Sequence, residues 1–155
     1  MLNGLFILFC LPTSIYYLEG DTYPILISSA MNLNLGFMLW YFSREHEKKL
    51  RQKDGYLIVT LGWLALSLGG SLPYILSGII PSFTSAFFET VSGYTTTGSS
   101  VLNNIEGVHK GILLWRSLTQ WMGGMGIIVL TVAILPILGV GGMQLFMAES
   151  PGPST

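Results

Sequence analysis

The chain has 155 residues, of which 50% are hydrophobic and 10% charged, with a formal net charge of −1. Soluble domains carry about 25% charged residues, so the deficit places this chain among membrane proteins. The near-zero net charge gives no support to a nucleic-acid partner, and one cysteine with two scattered histidines excludes an intrachain disulfide and a structural zinc site.

Leu2 to Leu18 is an apolar run of 17 residues, about 26 Å long as a helix and just adequate for a bilayer core. No basic residue precedes it and no small-residue cleavage site follows, which argues against a signal peptide. Because the chain starts almost inside this run, some N-terminal residues are expected to be missing. Pro12 is expected to kink the helix, and Tyr16 and Tyr17 suit an interfacial aromatic belt. After the polar turn Glu19-Gly20-Asp21, Tyr23 to Phe42 carries no charge over 20 residues and ends in Trp40-Tyr41-Phe42. Asn32 and Asn34 within it read as amides that bond a neighbouring helix. Residues 1–43 are therefore a transmembrane helical hairpin.

Eight of the fifteen charged residues, and five of the seven basic ones, fall between Arg44 and Asp54. The positive-inside rule places residues 44–54 in the cytoplasm. The interspersed Glu45, His46, Glu47 and Asp54, with spans on both sides, favour a topogenic loop over a nucleic-acid surface. Glu47 and Arg51 are four apart, which favours extension of the preceding helix by a turn or two. His46 reads as a solvated loop residue.

Residues 55–80 form the next uncharged span, with small faces at Gly62, Gly69 and Gly70, a bend at Pro73, and Trp63 packed on a neighbour. Ser82 is a plausible N-cap. Residues 83–94 then make a helix of about 18 Å, roughly half the bilayer core. The hydroxyl-rich hexapeptide Thr95-Thr96-Thr97-Gly98-Ser99-Ser100 comes next, and residues 101–109, including a solvated His109, are polar enough to lie outside. A long apolar span over 112–138 contains one charge, Arg116, and is terminated by Gly139, Gly141 and Gly142. Residues 143–155 are a cytoplasmic tail, expected to be truncated.

Counting spans from the cytoplasmic loop, residues 83–100 must enter from outside and return outside. Five extended residues climb back roughly 15 Å, matching the descent of the short helix. Non-helical backbone at this depth is tolerated only inside protein or along a watery path. The helix then points the negative end of its dipole at the membrane centre, and the carbonyls of Thr96, Thr97, Gly98 and Ser99 can replace water around a cation. Gly98 permits backbone angles that aim successive carbonyls at one axis. The threonine hydroxyls, Thr95 included, can add oxygens or buttress the loop.

Phe87-Phe88-Glu89, Gly93 to Ser99, Trp115 to Leu130, Ala133 to Pro136, Gly141 to Leu145 and Ala148 to Pro153 together resemble the first pore loop and following helix of Trk-type potassium uptake proteins, the TrkH/TrkG family. Lys53 to Val59 and Gly70 to Pro73 fit as well. The resemblance implies an all-α membrane protein: a helical hairpin, then one span–pore loop–span potassium-channel-like repeat over 55–142. It implies that the complete protein has four such repeats around a pseudo-fourfold pore, sits in the bacterial cytoplasmic membrane, pairs as a dimer and works with a cytosolic nucleotide-binding regulatory subunit, TrkA-like. One glycine per strand, against the two of a potassium channel, implies fewer or weaker sites. No cofactor or resident metal is expected; potassium is the cargo. One strand cannot enclose an ion, so further repeats or copies of the chain, bathed in membrane lipid, are expected to complete the pore.

Glu89 and Arg116 are intramembrane charges, expected to face each other and clamp the pore helix to its following span. Gly123, Gly124 and Gly126 suit close packing, with a gating hinge as the sharper reading. Two other functions compete with potassium uptake. An intramembrane enzyme needs a nucleophile and base at depth, yet both histidines fall in loops, so catalysis is not expected. A non-conducting truncated subunit or scaffold is the alternative that the short length raises.

Overall fold

A computed structural model describes residues 1–44 and 52–137, and every regular element among them is a helix. The first apolar run is not one kinked helix but two, α1 (Leu2–Phe9) and α2 (Leu11–Tyr17). Proline cannot donate to the carbonyl four residues back, and its ring crowds that carbonyl. The chain therefore breaks at Cys10, whose N–H donates to the Ile7 carbonyl at 3.0 Å. Pro12 then falls in the first turn of α2, where a missing N–H costs nothing. Leu18, in the left-handed region at φ 51°, closes α2, and Gly20 at φ 83° turns the chain back.

Next, α3 (Thr22–Ser43) lies along α1, with small residues at the closest approaches. Gly4 faces Ser29 and Leu33, and the Ser29 hydroxyl donates to the Gly4 carbonyl at 2.8 Å. Asn32 bonds neighbouring helices as expected, whereas Asn34 is exposed and donates only to Ala30 in its own helix. At the end of α3 the Arg44 guanidinium lies 5.8 Å over the Trp40 ring. Most of the charged loop, including His46 and the helical extension expected at Glu47–Arg51, lies outside the described residues.

The next long helix, α4 (Gln52–Leu76), is described from Gln52 and ends four residues before the 80 read from the sequence. Pro73 remains inside it, and Gly78 at φ 72° turns the chain out before Ile80. Thr22–Ser43 and Leu57–Leu76 are each long and apolar enough to cross a membrane. The outer surface agrees, since Phe42, Ile128 and Val132 are 64%, 65% and 71% exposed, an apolar exterior that lipid rather than water would cover.

The short helix α5 (Phe83–Tyr94) has 12 residues, about 18 Å. Ser82 occupies its N-cap in extended backbone, but its hydroxyl makes no capping bond; its carbonyl takes the Ala86 N–H at 2.9 Å. One side of α5 is buried through Ala86, Glu89, Thr90, Ser92, Gly93 and Tyr94. At Gly70, α4 comes close enough that a Cβ would meet Thr90, Tyr94 and Trp115. The Trp115 indole donates to the Gly70 carbonyl at 3.0 Å.

The last helix, α6 (Lys110–Ile137), begins two residues before the expected 112 because acidic groups hold its N-terminus. Glu19 accepts the Lys110 N–H, and the fully buried Asp21, bonded to Ser14, lies against Gly111. Carboxylates at this position complement the helix dipole. With that turn closed over the start of α6, His109 is half-buried and its Nδ1 is shielded without a partner, rather than solvated. Leu138, the glycines at 139, 141 and 142, and the tail 143–155 lie outside the described residues.

Candidate functional site

The hexapeptide begins where α5 runs out of turns. The N–H groups of Thr95, Thr96 and Thr97 donate back to the carbonyls of Val91, Gly93 and Ser92 at 2.8, 2.9 and 3.0 Å. In a planar trans peptide the carbonyl points opposite to the N–H. The Thr96 carbonyl, which shares its peptide with the Thr97 N–H, is therefore directed away from the helix.

The backbone angles of the segment are irregular. Thr96 has φ 55° and Gly98 φ 77°, while Thr97 between them stays negative. A regular strand keeps φ negative throughout, so the two reversals take this segment out of strand geometry. Nothing lies within 4 Å of the Cβ that Gly98 lacks, so its glycine is required by conformation and not by space. Thr96 adopts the left-handed region despite its branched Cβ, where such a residue is an outlier. Its hydroxyl donates to the Thr95 carbonyl at 2.7 Å. Thr95 and Thr97 share a hydroxyl–hydroxyl bond of 2.7 Å, and the Thr95 hydroxyl reaches the Val91 carbonyl at 2.8 Å. The threonines thus buttress the loop from its own side.

The far end of the loop is tied down separately. The Ser92 hydroxyl donates to the Ser99 carbonyl at 2.6 Å. The sequence groups Ser99 with the three residues before it, but its carbonyl is drawn to α5 because Ser92 lies within reach near the helix end. Glu89 holds the next two residues. Its carboxylate accepts the Ser100 hydroxyl at 3.0 Å and the Val101 N–H at 2.9 Å. It also accepts the Arg116 Nε at 2.6 Å, joining α5 to α6. The Glu89 side chain is 1% exposed and that of Arg116 19%, so the pair is shielded mainly on the carboxylate side. The loop is therefore anchored at both ends, and the carbonyls of Thr96, Thr97 and Gly98 accept no hydrogen bond among the described residues. All six residues of the hexapeptide are exposed.

The three mid-helix glycines of α6, Gly123, Gly124 and Gly126, meet different neighbours. A Cβ at Gly123 would collide with the Tyr94 carbonyl and Cα; one at Gly124 would stand 3.9 Å from Thr96 Cγ2; one at Gly126 would stand 2.8 Å from the Trp63 ring. Gly123 and Gly126 thus have packing partners that leave no room for a side chain. Trp63 also meets the Tyr94 ring edge-on at 5.9 Å.

Several residues of this site went unread in the sequence. The Tyr94 hydroxyl donates to Asn3 Oδ1 at 2.5 Å across 91 positions of chain. Asn3 is a lone amide at the start of an apolar run, a signal present but faint beside Asn32. Thr119 fills the space beside Gly93 on α6. An apolar cleft of about 500 Å³ opens between α1, α4 and α6, lined by Phe6, Trp63, Trp121 and Met125 among others. Its wall lacks the convergent oxygens that a cation needs. Among the described residues no group of three or more His, Cys, Asp or Glu side chains could hold a metal ion.

Comparison with known proteins places the chain. A family model described as "TrkH: Cation transport protein" matches residues 23–155. The Trk system potassium uptake protein TrkH of Vibrio parahaemolyticus is 46% identical over 141 residues, covering 90% of this chain and 29% of the relative. TrkH of Escherichia coli K12 is 52% identical over 122 residues, covering 78% and 25%. The potassium uptake protein TrkG of the same organism is 36% identical over 141 residues, covering 90% and 29%. The chain thus spans less than a third of the length of these relatives, and no solved structure gave a match. With its family-wide match and its all-helical membrane architecture, the chain belongs to the TrkH family of cation transport proteins.

Proposed function

We propose that this chain takes part in potassium uptake across the bacterial cytoplasmic membrane by supplying one of the four filter strands of a pore. The observation that carries the reading is the φ reversal at Thr96 and Gly98 beside three unbonded carbonyls, at the C-terminal end of a half-span helix. Backbone carbonyls gathered on one side substitute for the hydration shell of a potassium ion. The C-terminal pole of α5 favours a cation at the same place. Thr96, Thr97 and Gly98 coordinate the ion, and Ser99 contributes the lone pair that Ser92 leaves free. Thr95, Glu89 and Arg116 support the strand.

In this reading the basic loop at 44–54 is cytoplasmic, α4 crosses outward, α5 and the filter enter and leave on the outer side, and α6 crosses back. The exposed face of the hexapeptide meets three equivalent strands from further repeats or from copies of the chain. The complete assembly is a dimer governed by a cytosolic nucleotide-binding subunit. The relatives are named for potassium uptake, which supports transport rather than catalysis.

The test is potassium or rubidium uptake by cells deficient in their own uptake systems, expressing the full open reading frame that carries this chain. Gly98→Val forces a branched residue to φ 77°, at a cost of at least about 1–2 kcal/mol in local conformation. Uptake is expected to fall by tenfold or more at equal membrane abundance, since about 1.4 kcal/mol is a factor of ten. Unchanged uptake removes Gly98 from the filter and the reading with it.

A further inference from the structure

The hairpin that precedes the repeat ends in an amide network whose last member is the last residue of α5. Asn3 is 4% exposed and Asn32 8%. Asn32 Nδ2 donates to the Ser28 carbonyl at 2.8 Å and to the Gly69 carbonyl at 3.0 Å. Asn3 Nδ2 donates to the Leu66 carbonyl at 3.1 Å and to Asn32 Oδ1 at 3.3 Å. Backbone carbonyls only accept, so they fix the orientation of both amides. Asn3 Oδ1 is thereby left facing Tyr94, whose hydroxyl donates to it at 2.5 Å.

Tyr94 is held on every other side as well. Its ring meets Trp63 and the face of Gly70, and its backbone lies against Gly123. Thr95, the first residue of the hexapeptide, comes directly after it. A rotation of Tyr94 therefore turns the peptide from which the filter strand starts. In low dielectric a fully satisfied amide network resists such rotation, and an unsatisfied member is costly.

We infer that Asn3 and Asn32 are positioning residues for the filter: through the Tyr94 hydroxyl, the N-terminal hairpin sets the angle at which the strand leaves α5, and with it affinity and selectivity for potassium. The inference rests on the filter reading of Thr96–Gly98. It gives the hairpin a part in ion selection in addition to membrane anchoring.

Uptake by the full open reading frame is measured for Asn3→Leu, Tyr94→Phe and the double variant, with Asn34→Ala as a control on the exposed side of α3. The readouts are the KM for potassium and the ratio of potassium to sodium uptake, each at equal membrane abundance. Each single variant is expected to raise KM or lower the ratio roughly three- to thirtyfold, the range seen for residues that act through others. The double variant is expected to be no worse than the more severe single one, because both break the same bond. Should Asn3→Leu fail to reach the membrane, Tyr94→Phe decides alone, since it keeps the ring against Trp63 and Gly70. Unchanged KM and ratio, or effects that add in the double variant, overturn the inference. Gly98→Val is run beside them. If it loses uptake while the Tyr94 and Asn3 variants behave as wild type, only the positioning role fails; if Gly98→Val transports normally, the filter reading falls and takes this inference with it.

Discussion

Exchanging the charges of Glu89 and Arg116 separates two jobs that the carboxylate performs. In one it clamps α5 to α6 through Arg116 at 2.6 Å. In the other it anchors the exit of the hexapeptide through the Ser100 hydroxyl and the Val101 N–H at 3.0 and 2.9 Å. Glu89→Ala removes both and leaves a guanidinium and an amide without their acceptor. Removing one partner of a buried pair costs about 3–5 kcal/mol. Arg116 keeps some access to the surroundings, so its share falls at the low end of that range, while the stranded Val101 N–H adds about 1–3 kcal/mol. A total of about 4–6 kcal/mol lowers the population of the anchored exit by roughly three to four orders of magnitude. The double variant Glu89→Arg with Arg116→Glu restores opposite charges across the helix pair. It also points a donor-only side chain at the Val101 N–H, which still lacks an acceptor. Thermal stability of the full-length protein in detergent is therefore expected to recover in the swap, while potassium uptake stays low. Uptake restored to the wild-type level by the swap would refute the anchoring role. A Glu89→Gln variant with wild-type uptake would refute it equally, because Arg116 and Val101 bond different carboxylate oxygens and in Gln one of those positions becomes an NH2 donor.

The α6 glycines make a graded series. Gly123→Ala drives its Cβ into the Tyr94 backbone, Gly126→Ala presses a movable ring, and Gly124→Ala meets ordinary contact at 3.9 Å. Overpacking costs about 1–3 kcal/mol, so thermal stability is expected to fall in the order Gly123, Gly126, Gly124, with the last near wild type. A Gly124→Ala loss as large as that of Gly123→Ala would favour a hinge over packing. Asn32→Ala removes the bond to Gly69 and the acceptor of Asn3, an expected loss of about 1–2 kcal/mol, given that interhelical bonds in membranes average nearer 0.6 kcal/mol each. Asn34→Ala removes only an exposed bond to its own helix and is expected to stay within about 0.5 kcal/mol in the same thermal assay.

The short helix α5 was legible because its bounds are sharp: 12 residues between Pro81 and a hydroxyl-rich run, too few to cross a bilayer. The Glu89–Arg116 pair was legible for a similar reason, since lone charges set in apolar segments favour a partner, here found 27 positions away. The positive φ of Thr96 was not legible. Local preference runs against a β-branched residue there, and only the anchoring by α5, Ser92 and Glu89 imposes it. The bonds Ser92–Ser99 and Tyr94–Asn3 join side chains to partners that no periodicity announces. The break at Cys10 lay in plain view at Pro12, but a kinked helix and two short ones share one hydropathy profile. The burial of His109 was hidden because it depends on Glu19, distant in the chain, folding over the next residue.

The amide network also sets an order of assembly. Of its five hydrogen bonds, those from Asn3 to Asn32 and from Asn32 to Ser28 close within the hairpin itself. The carbonyls of Leu66 and Gly69 arrive with α4, and the Tyr94 hydroxyl arrives last, with α5. A chain that emerges N-terminus first meets these partners in the sequence in which it is made. The hairpin can therefore enter lipid with part of its polar load already satisfied, and each later helix is received by groups already in place. Insertion and assembly of these helices become the same process, read from one end of the chain to the other.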